Sequence, residues 1–144
     1  MTAFLRSSQD SERVLSTDRG LIRNREFAQQ IRDFSGLRWG KITPTDIDLF
    51  IEFDDTLYVL AEGKHGNAHL PYGQRLAFQR LIDALHQPPR ISIGFIVSHD
   101  CQGDIDFAEL PVREFRFRGE WRTPRVPITL VQAINIILKR SLRL

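Results

Sequence analysis

Three residues in this chain have the types and spacing for metal-assisted chemistry on a phosphate: Asp48, Glu62 and Lys64. Glu62 and Lys64 are two apart, so in a strand they share one face. The first candidate strand reads Asp46-Ile47-Asp48-Leu49-Phe50-Ile51-Glu52-Phe53, with Ile47, Leu49, Ile51 and Phe53 on one side. The second puts Leu57, Val59, Ala61 and Gly63 on one side and Tyr58, Leu60, Glu62 and Lys64 on the other. Burying both apolar sets on the same side of a sheet selects a three-residue turn, Asp54-Asp55-Thr56. Phe53 then pairs with Leu57, Ile51 with Val59, Leu49 with Ala61, Phe50 with Leu60, Asp48 with Glu62 and Asp46 with Lys64. A two-residue turn would mix the apolar and polar sets.

Directly opposed carboxylates repel, so a sequence tuned for stability alone would avoid pairing Asp48 with Glu62. Two carboxylates beside an ammonium suit Mg²⁺, or Mn²⁺, which takes oxygen ligands and substrate phosphate. Such an ion polarises the phosphate and lowers the pKa of a bound water. Lys64 is placed to orient that water or to offset charge developing on phosphorus.

The elements that must position these groups follow from periodicity. From Asp18 to Phe34 the pattern is helical, with Phe27, Ile31 and Phe34 on one face. Ile42–Phe53 and Leu57–Lys64 read as a hairpin. Pro71–His86 reads as a helix whose face is 74, 77, 78, 81, 82 and 85. Ile91–Ser98 reads as a buried strand, Asp100–Glu109 as an acidic loop, and Val112–Trp121 as a more exposed strand. Residues 128–141 read as a last helix. The expectation is an α/β fold, one mixed sheet flanked by helices, in a single domain over 1–144 with residues 1–16 loosely ordered.

This hairpin, Asp-Ile-Asp-Leu followed by Leu57-Tyr58-Val59-Leu60-Ala61-Glu62-Gly63-Lys64, resembles that of the PD-(D/E)XK nuclease superfamily. The similarity is to small members resembling Holliday-junction resolvases. It implies an αβββαβ-type, restriction-endonuclease-like core and a Mg²⁺-dependent DNA endonuclease, possible substrates including branched DNA. By position it gives the metal to Asp48 and Glu62 and the catalytic lysine to Lys64, with Gly63 in the unrestricted middle position. Asp48 follows Ile47, not proline, and Asp46 is an alternative ligand. Many members carry a further acid on the preceding helix, here Glu26, and a glutamine on the following one, here Gln74. The alternative reading is a non-catalytic nucleic-acid-binding or assembly module that keeps the fold.

Charge is uneven. Residues 111–144 carry eight basic and two acidic residues, whereas residues 41–110 carry five basic and eleven acidic. Basic flanks around an acidic middle suit a polyanion held about a cation. Arg116, Arg118, Arg122 and Arg125, interleaved with Phe115, Phe117 and Trp121, form the expected DNA contact strip, with Arg113 leading into it. A solvated strand face would show the same alternation. His65 and His69 read as solvated loop residues, and Cys101, beside His99 and Asp100, as an incidental thiol without an arguable base. A single cysteine excludes a disulfide framework and favours a reducing, cytoplasmic setting. No apolar run suggests a signal peptide or a membrane span. The apolar last helix, with Ile134, Ile137 and Leu138, suggests a homodimer.

Overall fold

A computed structural model describes residues 33–100 and 102–142. Glu26, Cys101, the segment 1–16 and nearly all of the helix expected over Asp18–Phe34 lie outside the described residues. The chain divides after Asp46. In residues 33–46, Trp39 and Ile42 form a small antiparallel bridge, their amides and carbonyls 3.0 Å apart in both directions. Gly40 turns between them with φ of 64°, a conformation glycine adopts without steric cost.

From Ile47 onward the fold is α/β: one five-stranded mixed sheet with a helix on each face. The elements are β1 (Leu49–Phe53), β2 (Leu57–His65), α1 (Tyr72–Leu85), β3 (Ile91–His99), β4 (Val112–Phe117), β5 (Glu120–Arg122) and α2 (Leu130–Leu142), with a 3₁₀ turn at Phe107–Glu109. Spatial order follows chain order. β2 and β3 are parallel, joined by the α1 crossover, and the other three pairs are antiparallel.

The first hairpin has the register that its apolar alternation requires: Leu49 opposite Ala61, Phe50 opposite Leu60, Ile51 opposite Val59 and Phe53 opposite Leu57. Asp54 and Asp55 both take positive φ, 48° and 56°, and the Thr56 amide donates to the Phe53 carbonyl at 2.9 Å. This backbone twist matches that of the strands, and Asp is among the few residues that tolerate it. The strand is shorter than Ile42–Phe53: it begins at Leu49, so neither Asp46 nor Asp48 belongs to the ladder.

The expected strand Val112–Trp121 is instead two strands. Arg118 and Gly119 take φ of 50° and 76° and reverse the chain, so Phe117 faces Glu120 and Arg116 faces Trp121. The Arg-Gly pair supplies the left-handed turn that a two-residue hairpin needs.

Alternation along the central strands builds two cores. Leu57, Val59, Ala61, Ile93, Phe95 and Val97 pack with Leu130, Ala133, Ile134 and Ile137 of α2. Leu60 and Ile96 face the other way and pack with Phe78 and Ile82 of α1. Gly94 makes that second contact possible, because a Cβ there would overlap the Ile82 side chain. The buried face of α1 is rotated from the expected one. Ala77 and Leu81 are exposed, while Arg75, Gln79 and Asp83 sit over β4 and β5. Arg75 pairs with Glu114, Gln79 Oε1 accepts from Trp121 Nε1 at 3.0 Å, and Asp83 takes two bonds from Arg116. The apolar pattern alone could not show this row, because its partners on β4 and β5 are polar or amphipathic. No helix among the described residues is long and apolar enough to cross a membrane.

Candidate active site

Glu62 and Lys64 lie near the carboxyl end of β2, on the face covered by α1. Glu62 is 2% exposed. Its backbone neighbour in β3 is Ile96, and Leu60, two residues earlier, belongs to the α1-side core. A carboxylate at such a position demands a compensating cation or hydrogen-bond donors, since burying an isolated charge is very costly. Lys64 is half-buried, and its ammonium donates to Gln74 Oε1 at 3.5 Å. Gln74 sits in the first turn of α1. The structure thus brings together Lys64 and Gln74, assigned separately from sequence.

Asp48 reaches the same strand by an unexpected route. The backbone bends at Asp48, ending the β1–β2 ladder at Leu49 and Ala61. The next β2 amide directed at β1 is that of Gly63, since amide direction alternates along a strand. That amide donates to Asp48 Oδ2 at 2.8 Å. The carboxylate therefore takes the position of a ladder carbonyl and is fixed beside the residue that follows Glu62. The expected side-by-side strand pairing of Asp48 with Glu62, and of Asp46 with Lys64, does not form as part of the ladder.

Gly63 is also more constrained than a free middle position. A Cβ there would lie 3.0 Å from the Phe107 ring and 3.8 Å from Asp48 Oδ2. The 3₁₀ turn carrying Phe107 closes directly over the strand at this residue, on the face opposite Glu62. Its amide is fixed by Asp48, so both the side chain and the backbone at Gly63 are committed.

The loop from β2 to α1 has its own anchor. The Arg113 guanidinium donates to the carbonyls of Gly66, at 3.3 Å, and Ala68, at 2.6 Å. Arg113 thereby holds the chain that carries Gln74 toward Lys64. Nothing in its sequence context distinguished it from the neighbouring arginines.

The arginines expected on DNA occupy different environments. Arg116 is only 11% exposed and forms a bidentate pair with Asp83, at 3.0 and 2.6 Å. The Asp83 carboxylate holds the Arg116 guanidinium above its ordinary pKa. Arg118 is exposed in the β4–β5 turn, with its guanidinium 5.1 Å from the centroid of the Phe117 ring. Arg122 pairs with Glu120 at 2.9 Å on the surface, and Arg125 is exposed. Phe117 pairs with Ile93 and Glu62 with Ile96, so Phe117, which leads into the turn, lies two strand spacings across the sheet and three residues down it from Glu62. That offset is about 14 Å.

His65 and His99 also meet, a juxtaposition hidden from sequence until the parallel register is known. They are paired at the ends of β2 and β3, ring centroids 5.3 Å apart and planes at 85°. The residues that suggested a dimer, Ile134, Ile137 and Leu138, pack against the sheet. Among the described residues no group of three or more histidine, cysteine or acidic side chains is arranged to hold a metal ion. Comparison of the chain with protein-family models, curated proteins and solved structures found no match.

Proposed function

We propose that this protein is a Mg²⁺- or Mn²⁺-dependent endonuclease that hydrolyses phosphodiester bonds in DNA, resembling the small PD-(D/E)XK enzymes. The observation that carries this reading is the local geometry of β2: a buried Glu62, Lys64 two residues on along the same face, and Asp48 held on the intervening amide. The donor set is two hard carboxylates and suits a hard divalent cation. Asp48 and Glu62 would hold it, and when bound it would supply Lewis acidity and a more acidic water. Lys64 would donate to a non-bridging phosphate oxygen or orient the attacking water, with Gln74 fixing the ammonium in place. Asp48 can serve while bonded to Gly63, because a carboxylate has several acceptor positions.

DNA would lie across the Glu62 end of the sheet, with Arg118, Arg122 and Arg125 contacting more distant phosphates. Arg116 already serves Asp83. The test is nicking of supercoiled plasmid and of branched DNA with Mg²⁺ or Mn²⁺, with and without EDTA. Cleavage that EDTA abolishes supports the reading. Binding without cleavage would instead favour a non-catalytic nucleic-acid-binding module on the same fold.

A further inference from the structure

His65 and His99 stand on the sheet face opposite Glu62 and Lys64, because they continue the rows Ala61-Gly63 and Phe95-Val97. Each is the last residue of a strand, and the two strands are held in parallel register there, the Gly66 amide donating to the His99 carbonyl at 2.6 Å. The backbone therefore fixes the two Cα positions before any side chain is considered. His65 is exposed and His99 half-buried. The Nδ1 atom of His99 is closed to solvent and has no hydrogen-bond partner among the described residues. A buried imidazole nitrogen of this kind is uncommon and needs an explanation.

The ring separation allows one. A zinc–imidazole bond is about 2.0–2.1 Å, and the nitrogen lies about 1.1 Å from its ring centroid, placing a metal about 3.2 Å from each centroid. At a tetrahedral angle two such rings would have centroids about 5.2 Å apart. The observed separation is 5.3 Å, with the planes nearly perpendicular. We propose that His65 and His99 form a two-imidazole site for a divalent transition metal of the zinc class, distinct from the carboxylate site of Asp48 and Glu62. Imidazole ligands suit such ions, whereas carboxylate and water ligands suit Mg²⁺. Two protein ligands leave the remaining coordination positions to water or to a ligand brought by another molecule. The proposal does not depend on the nuclease reading.

Zinc titration of the full chain by calorimetry, with Co²⁺ absorption as a report on coordination geometry, tests it directly. The expected result is one tight Zn²⁺ site per chain, apart from any weaker binding at the carboxylates, and a Co²⁺ visible spectrum of tetrahedral intensity. His65→Ala should weaken Zn²⁺ binding at least tenfold. Its ring is exposed, so the fold is not at risk, and this variant decides the question even if His99→Ala fails to fold. Asp48→Asn should leave Zn²⁺ affinity unchanged. Absence of binding at millimolar Zn²⁺, or unchanged affinity in His65→Ala, would overturn the site. Loss of Zn²⁺ binding in Asp48→Asn would overturn it too, by moving the ion to the carboxylates.

Discussion

The Asp48 carboxylate accepts a 2.8 Å hydrogen bond from the Gly63 amide, where strand pairing would otherwise supply a backbone carbonyl. One acidic side chain thus ends a ladder and is anchored on the amide of the residue that follows Glu62. With the proposed metal role, Asp48 has two separable functions, and substitutions divide them. Asp48→Asn keeps an acceptor for the Gly63 amide, so metal-free stability should stay within about 1 kcal/mol of wild type. Its cleavage activity should nevertheless fall by more than the roughly 10–100-fold that outer-sphere groups cost. Asp48→Ala loses both and should also be destabilised, by about 1–2 kcal/mol. Urea denaturation beside a nicking assay separates the two, and equal stability in both variants would contradict the anchoring role.

Packing between α1 and β3 depends on Gly94. Gly94→Ala should cost about 1–3 kcal/mol through overpacking against Ile82. Shortening the neighbour with Ile82→Val should recover part of that loss in the double variant, because the two changes share one contact. Strictly additive destabilisation in thermal melts would show that the helix does not approach the strand this closely.

The arginines should behave unequally. Arg116→Ala breaks a bidentate pair whose arginine is largely buried and should destabilise the fold by about 1–2 kcal/mol. Neutralising Arg118 and Arg125 should leave stability within about 0.5 kcal/mol. It should also reduce the salt dependence of DNA binding by about 1.8 units of slope. An unchanged slope would mean that these side chains are simply solvated.

Acid stability has one local contributor at the first hairpin. The Tyr58 hydroxyl, the largest cause, and the Arg90 guanidinium hold the Asp55 carboxyl below its ordinary pKa. A depressed carboxyl stabilises the fold above the unfolded value of about 3.9, and the contribution is lost as pH falls through the lower folded value. Asp55→Asn should therefore flatten the dependence of stability on pH below about 4, with little change in slope near neutrality. An unchanged acid limb would remove Asp55 from that account.

Much of the first hairpin was legible in the sequence because its apolar residues alternate without interruption from Leu49 to Phe53 and from Leu57 to Ala61. Burial of one face leaves a single register. The bend at Asp48 was not legible, since it turns on a side chain replacing a backbone acceptor, which periodicity does not encode. The split between β4 and β5 carried a signal in Arg118-Gly119, masked by the alternation that continues through it. The capping box at the start of α2 was not read from the sequence, because periodicity placed the helix without its cap. The Thr129 amide donates to Gln132 Oε1 at 3.0 Å, and the Gln132 amide to Thr129 Oγ1 at 3.3 Å. The meetings of Lys64 with Gln74 and His65 with His99 differ in kind. The first follows from one crossover over β2, whereas the second needs the parallel register of β2 and β3.

The central claim is that Glu62, with Asp48 and Lys64, forms a metal-dependent phosphodiesterase site. The most direct measurement is single-turnover nicking of supercoiled plasmid across a Mg²⁺ series, comparing wild type with Glu62→Gln and Lys64→Ala, each first shown to be folded by circular dichroism. Wild type should cleave with a saturable Mg²⁺ dependence that EDTA reverses, and both folded variants should fall by about 100-fold or more. Wild-type cleavage rates in folded Glu62→Gln, or cleavage that persists in EDTA, would contradict the assignment.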